Sequence, residues 1–167
     1  RASLLVNCRN THQVANVLRP LGGAPAAPGA PEGEPVDFIA CESDDQIIGA
    51  LSERVECLVE EELVDPANIL IVCGSRGIRD RIRGERPGGF EYEEWEGRGE
   101  GHIICETIHR TKGLERDAVI LVTTNEVLAD KLLYVGMSRA VSRLVVIGPG
   151  RLVDRLRTLG RLRAPAA

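Results

Sequence analysis

The chain alternates short, mostly apolar runs with segments of helical periodicity. The runs lie at residues 4–6, 36–40, 69–73, 102–106, 118–123 and 144–147. After the second run, apolar residues recur every three or four positions at Ile47, Leu51, Val55 and Leu58, as on one face of a helix. Strands that alternate with helices form a mainly parallel sheet with right-handed crossovers and helices on both faces. We therefore predict an α/β fold.

Local signals add detail to this outline. The consecutive apolar residues 69–73 indicate a central strand that is covered on both faces. Three polar residues precede apolar residues at helical spacing and are predicted to begin helices: Asn10, Ser43 and Ser75. Ser43 also has Gln46 three residues later, which is the pattern of a capping box.

Two segments interrupt the alternation. Residues 22–35 are Gly, Ala and Pro with two glutamates, so we expect a mobile surface loop. The pattern resumes directly after it, and we therefore expect a single domain over residues 1–167. Residues 84–101 are polar and rich in glycine, but residues 90–95 hold three of the five aromatic residues. These rings are predicted to pack on the body from a β-ribbon or loop; the alternative is a patch that binds a partner.

Composition narrows the class of protein. The 167 residues, 43% hydrophobic and 28% charged, fit one globular domain with an aliphatic core. The net charge of -4 argues against a surface that is basic throughout, but it permits a local basic strip. The five cysteines show no C-x-x-C spacing, so we expect reduced thiols and no metal site. No apolar run has membrane-spanning length and no signal peptide is visible, which favours a cytoplasmic protein.

Three short motifs occur in a fixed order at the ends of the apolar runs, where open α/β sheets place their ligands. They read N-C-R-N-T at residues 7–11, T-I-H-R-T-K-G-L-E at residues 107–115, and L-Y-V-G-M-S-R-A at residues 133–140. They resemble motifs IV, V and VI of the UvrD/Rep-like superfamily 1 helicases. This resemblance implies the second RecA-like domain of such a motor, which has a P-loop NTPase-like fold.

The sequence lacks the phosphate cradle of an ATPase. No G-x-x-x-x-G-K-[ST] pattern occurs, and Lys112 precedes Gly113 in the reverse of the order that a P-loop needs. We therefore expect no ATP hydrolysis by this chain alone. The resemblance implies that ATP and Mg²⁺ are held mainly by an N-terminal RecA-like domain, and that the present chain supplies the far wall of the cleft. Since the chain starts at Arg1 rather than Met, we expect it to be a piece of a longer protein.

Two arginines are the candidates for catalysis. In the resembling family, the arginines at the positions of Arg139 and Arg9 approach the γ-phosphate, where a planar cation meets the charge that develops during phosphoryl transfer. We expect both to point into one cleft. The alternative for Arg139 is a surface ion pair with Glu126 or Asp130, and for Arg9 a contact with a helix terminus or an acidic side chain. Cys8 stands where many family members carry a tyrosine that stacks on adenine.

The remaining site candidates belong to motif V. By resemblance, Gly113 lets the backbone approach the nucleotide and Glu115 accepts hydrogen bonds from the ribose. The alternatives are a turn glycine and a solvated glutamate. The same resemblance assigns Thr107 and His109 to contacts with single-stranded nucleic acid, with Lys112 assisting by its charge. Such contacts to phosphate do not read sequence, so RNA remains an alternative to DNA.

The resemblance also bears on the segment at residues 84–101. Many UvrD-like helicases carry a large inserted domain ahead of motif V. An inserted domain needs at least about 50 residues, so none fits here and we predict a short polar segment in its place.

The function that follows is the C-terminal half of an ATP-dependent DNA helicase or translocase. It supplies the arginine finger and part of a single-stranded DNA track, and its partner is the N-terminal RecA-like domain. One alternative is a degenerate helicase relative that acts as a DNA- or protein-interaction module. A second alternative is a small α/β binding module whose motif matches arose by chance.

Overall fold

The structure, a computed structural model, describes residues 6–97 and 101–161. Strands and helices alternate along the chain. The strands are β1 (Asp37–Cys41), β2 (Ile69–Cys73), β3 (Tyr92–Glu93), β4 (Ile103–Thr107), β5 (Arg116–Val122) and β6 (Ala140–Pro149). The α-helices are α1 (His12–Leu18), α2 (Asp44–Glu56), α3 (Arg76–Glu85), α4 (Asp130–Met137) and α5 (Gly150–Arg161).

The strands form one six-stranded sheet in the order β1-β6-β5-β2-β4-β3, and all five neighbouring pairs are parallel. The predicted α/β class with a parallel sheet is therefore confirmed. The predicted strand at residues 4–6 falls largely outside the described residues. The described part of the sheet also contains a strand that was not among the six apolar runs: β3, a two-residue strand within the polar segment that precedes β4.

The core has two layers because alternate residues of each strand point to opposite faces of the sheet. All five residues of β2 are buried, as predicted for a central strand. Leu70 and Val72 pack on the face covered by α1, α4 and α5, whereas Ile69 and Ile71 pack on the face covered by α2 and α3. Helices thus cover both faces, as the alternation of strands and helices predicts.

Two of the three predicted helix caps are present. Ser43 accepts a hydrogen bond from the backbone of Gln46, and Ser75 accepts one from the backbone of Ile78. The prediction for Asn10 is wrong, since the N-cap residue of α1 is Thr11. Asn10 is buried, and its side-chain amide donates to the carbonyl of Ala140 at the start of β6. A tertiary contact has replaced the local cap.

The aromatic residues before β4 pack on the body of the domain, as expected for a loop of this composition. Tyr92 is buried, and its hydroxyl donates to the carbonyl of Pro87 at 2.8 Å. Phe90 packs on the α2 and α3 face of the core, and Trp95 packs on the opposite face. That residues 84–101 replace a larger inserted domain stays a prediction, and residues 98–100 lie outside the described part of the chain.

The loop at residues 22–35 contacts the N-terminal part of the chain. The backbone N–H of Gly33 donates to the side chain of Gln13 at 2.7 Å, and the N–H of Asn7 donates to the carbonyl of Pro25 at 2.7 Å. The predicted mobility of this loop stays a prediction.

Candidate functional site

The motif residues separate into two groups at opposite edges of the sheet. Thr107 ends β4, so it lies at the carboxyl edge, with His109 directly beyond it. Glu115 precedes β5 and Arg139 precedes β6, so both lie at the amino edge. Because β4 and β5 are parallel strands of the same sheet, residues 108–115 connect the carboxyl edge to the amino edge. The rule that ligands bind at the carboxyl edge therefore describes only one of the two groups.

At the amino edge, strand register places Glu115 beside Arg139. Arg116 pairs with Ala140, and the N–H of Arg116 donates to the carbonyl of Arg139 at 3.1 Å. Glu115 and Arg139 are thus the residues that directly precede a paired position on two neighbouring strands. Sheet pairing alone brings these two side chains to the same part of the edge.

Arg9 joins this pair from the other end of the chain. The N–H of Thr11 donates to the carbonyl of Val141 at 3.1 Å, which fixes residues 7–11 against the first residues of β6. The Nε of Arg9 then lies 2.9 Å from the carboxylate of Glu115. Both side chains are about half exposed, at 49% and 40%. The structure therefore brings Arg9 into contact with Glu115 and places Arg139 close enough to interact electrostatically with both; we call these three residues the amino-edge cluster. That both arginines point into one cleft stays a prediction.

Arg139 is held by its own helix. Its Nε donates to the carbonyl of Val135 and its Nη2 donates to the hydroxyl of Ser138, both at 2.9 Å. These bonds satisfy groups at the C-terminal end of α4, where a cation is favourable. Partial burial, and then the neighbouring Arg9 charge, lower the pKa of the Arg139 guanidinium, while Glu115 opposes that shift.

Among the described residues, neither carboxylate named in the alternative for Arg139 forms an ion pair with it. Asp130 forms its ion pair with Arg155, and Glu126 lies 3.6 Å from Arg151. Arg139 instead remains half-buried beside a cleft of about 430 Å³ that contains Arg9. The lining residues are Val6, Asn7, Cys8, Arg9, Asn10, Gly22, Ala24, Tyr134 and Ser138.

Gly113 lies in the turn that leads to Glu115. Its φ of +87° falls in the left-handed region, so any residue with a Cβ would be strained there. No atom lies within 4 Å of the position that a Cβ would take, so the space beside this glycine is open. The turn alone accounts for the glycine, and the open space leaves room for a ligand. Lys112 is exposed beside it and does not line the cleft at either edge.

At the carboxyl edge, a second cleft of about 460 Å³ lies between the ends of β2 and β4. Register pairs Cys73 with Thr107, so the residues after the two strands are neighbours. The cleft is lined by Gly74, Ser75, Arg76, Arg79, Thr107, His109 and Arg110, and we call it the carboxyl-edge cleft. Thr107 and His109 were predicted from the sequence, whereas Arg76 and Arg79 were not, because the adjacency of β2 and β4 is not visible in the sequence. Arg110 was also not predicted, although it directly follows His109.

A buried carboxylate supports the carboxyl-edge cleft. Glu106 is fully buried, and its carboxylate lies 3.4 Å from Arg83 and 3.4 Å from Arg110. It also accepts a hydrogen bond from the backbone N–H of Trp95 at 3.4 Å. A buried charge is tolerated only with such partners, so Glu106 ties α3, the residues after β3 and the residues after β4 into one unit.

Arg116, which follows Glu115, contacts two other segments of the chain. Its Nε donates to the carbonyl of Ala67 at 2.9 Å, and its guanidinium lies 5.4 Å from the centre of the Trp95 ring. The latter distance is within the range of a cation–π contact. Arg116 thus joins the start of β5 to the segment before β4.

Two classes of site are absent from the part of the chain that the structure describes. Within residues 6–97 and 101–161, no group of three His, Cys, Asp or Glu side chains is arranged to hold a metal ion. In the same residues, no helix is long and apolar enough to cross a membrane.

Comparison with known proteins finds similarity to helicase C-terminal domains in sequence and in fold. Residues 102–147 match the family model of the UvrD-like helicase C-terminal domain. The fold is similar to the crystal structure of the C-terminal domain of a possible DNA helicase from Lactobacillus plantarum WCFS1, with a TM-score of 0.67 and 21% identity over 89% of this chain and 91% of that chain. No protein of curated function matches. The predicted resemblance is therefore confirmed, in sequence over residues 102–147 and in fold over most of the chain.

Proposed function

We propose that this chain, similar to UvrD-like helicase C-terminal domains in sequence and fold, is the C-terminal half of an ATP-dependent DNA helicase or translocase. The observation that carries the proposal is the position of the motif residues. They form an arginine-containing cluster at one edge of the sheet and a basic cleft at the other, and residues 108–115 join the two. A motor that couples ATP to movement along a strand needs a nucleotide site and a nucleic-acid site that are structurally connected.

The amino-edge cluster fits the phosphates of a nucleotide. Two guanidinium groups flank one carboxylate, and the side chains of Arg9 and Glu115 are open to solvent. A bound nucleotide supplies the γ-phosphoryl group whose charge grows during transfer. Arg139 is oriented by its bonds to Val135 and Ser138, so it reaches this charge with little reorganisation. Glu115 is the acceptor for a ribose hydroxyl. In the resembling family the N-terminal domain holds Mg²⁺, and we propose the same division for this protein.

The carboxyl-edge cleft fits the backbone of a single strand. Arg76 and Arg79 bring positive charge, and Ser75 and Thr107 bring hydroxyls. The N-terminus of α3 opens into the same cleft, where its backbone N–H groups favour an anion. These groups bind phosphate oxygens and do not read bases, as a translocating motor requires.

The segment between the clefts is well placed to couple them. Within residues 108–115, Thr111 is buried and its hydroxyl donates to the carbonyl of Ile108 at 2.8 Å. The N–H of Leu114 donates to the carbonyl of Thr111 at 3.0 Å, and Ile108 and Leu114 are both buried. The segment is thus internally bonded and packed, so a shift at Glu115 is transmitted toward His109.

The test is to titrate the isotope-labelled chain with two ligands and to follow backbone and arginine side-chain NMR signals. Tripolyphosphate is expected to shift Arg9 and Arg139, and an oligothymidylate is expected to shift Ser75, Thr107 and Arg79. Low salt is required, because phosphate contacts weaken steeply as salt rises. If both ligands perturb one edge only, or neither edge, the two-site assignment is wrong.

One observation favours a second candidate, a helicase relative that binds DNA without acting as a motor. Cys8 is exposed in the cleft that contains Arg9, at the position where many members of the resembling family carry a stacking tyrosine, so this position offers a base no aromatic surface. The two candidates differ in the region that precedes this sequence in the full reading frame. An intact P-loop and an acidic magnesium motif there support the motor, and their loss supports the binding module.

A further inference from the structure

A run of acidic residues lies beside the carboxyl-edge cleft. Residues 91–96, which we call the acidic segment, contain four glutamates among six residues: Glu91, Glu93, Glu94 and Glu96. A patch of negative charge next to a cleft for phosphates is unexpected, because it lowers the attraction of the cleft for an anion. The proposed function gives this segment no role.

Two glutamates of the acidic segment contact an arginine of the cleft. Glu96 lies 2.6 Å from the Nη2 of Arg110, and Glu94 lies 3.7 Å from the same atom. On its inner side, the Nε of Arg110 lies 3.4 Å from the buried carboxylate of Glu106. Arg110 lines the carboxyl-edge cleft, so a group that would otherwise face a phosphate already has carboxylates around it.

The aromatic residues hold the acidic segment in this position. Tyr92 is buried and bonded through its hydroxyl to Pro87. Trp95 packs on the core, and its backbone N–H donates to the carboxylate of Glu106, which also contacts Arg110. Glu94 and Glu96 flank Trp95 and are exposed. Alternating anchors and exposed acids therefore place two negative charges against one guanidinium.

We propose that the acidic segment is an intramolecular competitor for the phosphodiester backbone at Arg110. The inference rests on the proposed nucleic-acid role of the carboxyl-edge cleft and adds a determinant of its strength. A strand that enters the cleft must displace Glu94 and Glu96 before a phosphate reaches Arg110. A short anion gains too few contacts to do so, whereas a strand that also engages Arg76 and Arg79 does. The segment thereby weakens binding and speeds release, as stepwise movement along a strand requires.

The expected effect is modest because the competing ion pairs are at the surface. Exposed ion pairs contribute little each, so removing both charges is expected to raise affinity for a single strand roughly two- to fivefold at low salt. Freeing Arg110 for one more phosphate should also steepen the plot of log affinity against log salt by about 0.7, the contribution of one contact on a single strand.

The experiment measures the binding of a fluorescein-labelled oligothymidylate by fluorescence anisotropy over a series of salt concentrations. The test variant is Glu94→Gln with Glu96→Gln, which removes charge and keeps side-chain size. The matched control is Glu91→Gln, since Glu91 pairs with Arg86 at 2.7 Å rather than with a residue of the cleft. The double variant is expected to bind more tightly with a steeper salt slope, and the control to match the wild type. Melting curves establish that each variant is folded.

A second background distinguishes competition from a general charge effect. In Arg110→Ala, the two glutamine substitutions are expected to change affinity by much less than in the wild type, because the residue for which they compete is gone. An equal gain with and without Arg110 overturns the inference, and so does the absence of any gain in the double variant. If the wild type binds the strand with a salt-dependent affinity and the double variant does not gain, the proposed function stands and this inference alone fails.

Discussion

The two edges of the sheet use the same kinds of charge in different ways. At the amino edge, Arg9 and Glu115 form an ion pair whose side chains are 49% and 40% exposed. At the carboxyl edge, the carboxylate of Glu106 is fully buried beneath Arg83 and Arg110. An exposed pair exchanges partners readily, whereas a buried carboxylate is costly to separate from its cations. The exposed ion pair at the amino edge is consistent with the proposed ligand site there, whereas the carboxyl edge has a buried carboxylate with two arginine partners.

The largest effect is expected from replacing Arg139, the partly buried arginine of the amino edge. The proposed function predicts that Arg139→Ala in the full-length protein lowers ATP turnover on the order of 10³-fold, the effect known for arginine fingers. The free energy of unfolding is expected to fall by only about 1 kcal/mol, since the change removes hydrogen bonds to Val135 and Ser138 but buries no unpaired charge. Steady-state phosphate release and parallel melting curves measure the two effects.

Arg139→Lys serves as the control for this prediction. Lysine keeps the charge and loses the planar fork that holds both Val135 and Ser138, so we expect most of the activity to be lost while the stability changes little. A near-normal rate for Arg139→Ala, or a loss of stability that alone accounts for the lost activity, would return Arg139 to a purely structural role.

The next largest effect is a loss of stability, expected when the buried Glu106 at the carboxyl edge loses one of its arginine partners. Arg83→Met leaves the buried Glu106 with Arg110 as its only ion-pair partner among the described residues. The free energy of unfolding is expected to fall by about 3 kcal/mol, the scale for breaking a buried pair from one side. Urea denaturation provides the measurement.

Arg86→Met is the matched control for Arg83→Met. Arg86 lies in the same region and pairs with Glu91, but its side chain is 56% exposed and that of Glu91 45% exposed. Its loss should change stability by less than about 0.5 kcal/mol. Equal effects for the two arginines would show that Glu106 does not depend on Arg83.

Structural features that depend on neighbouring residues could be predicted from the sequence, whereas features that depend on tertiary contacts could not. The strand at residues 69–73 and the caps at Ser43 and Ser75 depend on nearest neighbours, and the structure has all three. The cap at Asn10 failed because its side chain is bonded to Ala140, which no local pattern reveals. For the segment that contains β3, the sequence left a β-ribbon and a loop as alternatives, because two residues are too few to show a period of two.

The candidate site divides along the same line. Resemblance alone identified the amino-edge cluster, Arg9, Glu115 and Arg139. No pattern in the residues between them indicates that the three side chains lie close together in the fold. Arg76 and Arg79 were missed because their place in the carboxyl-edge cleft depends on β2 lying beside β4, and parallel strands that are distant in sequence give no local signal of their order.

The sequence predicted the last strand only over the apolar residues 144–147, whereas β6 begins at Ala140. Its first residues pair with β5, but Val141, Ser142 and Arg143 are only half-buried and so do not form an apolar run.

The smallest expected effect concerns the ion pair that distinguishes the amino edge. Glu115→Gln removes the charge that Arg9 contacts at 2.9 Å, and exposed pairs of this kind contribute little, so stability should change by less than about 0.5 kcal/mol. Affinity for tripolyphosphate should nevertheless rise about twofold at low salt, because a carboxylate no longer offsets Arg9 and Arg139. Arg9→Ala should lower that affinity, and in the double variant the gain from Glu115→Gln should shrink, since the released partner is absent. NMR titrations of the four proteins complete the cycle. A lower affinity for Glu115→Gln would mean that Glu115 orders Arg9 for the ligand, and the amino edge would then resemble the carboxyl edge in having its own fixed support.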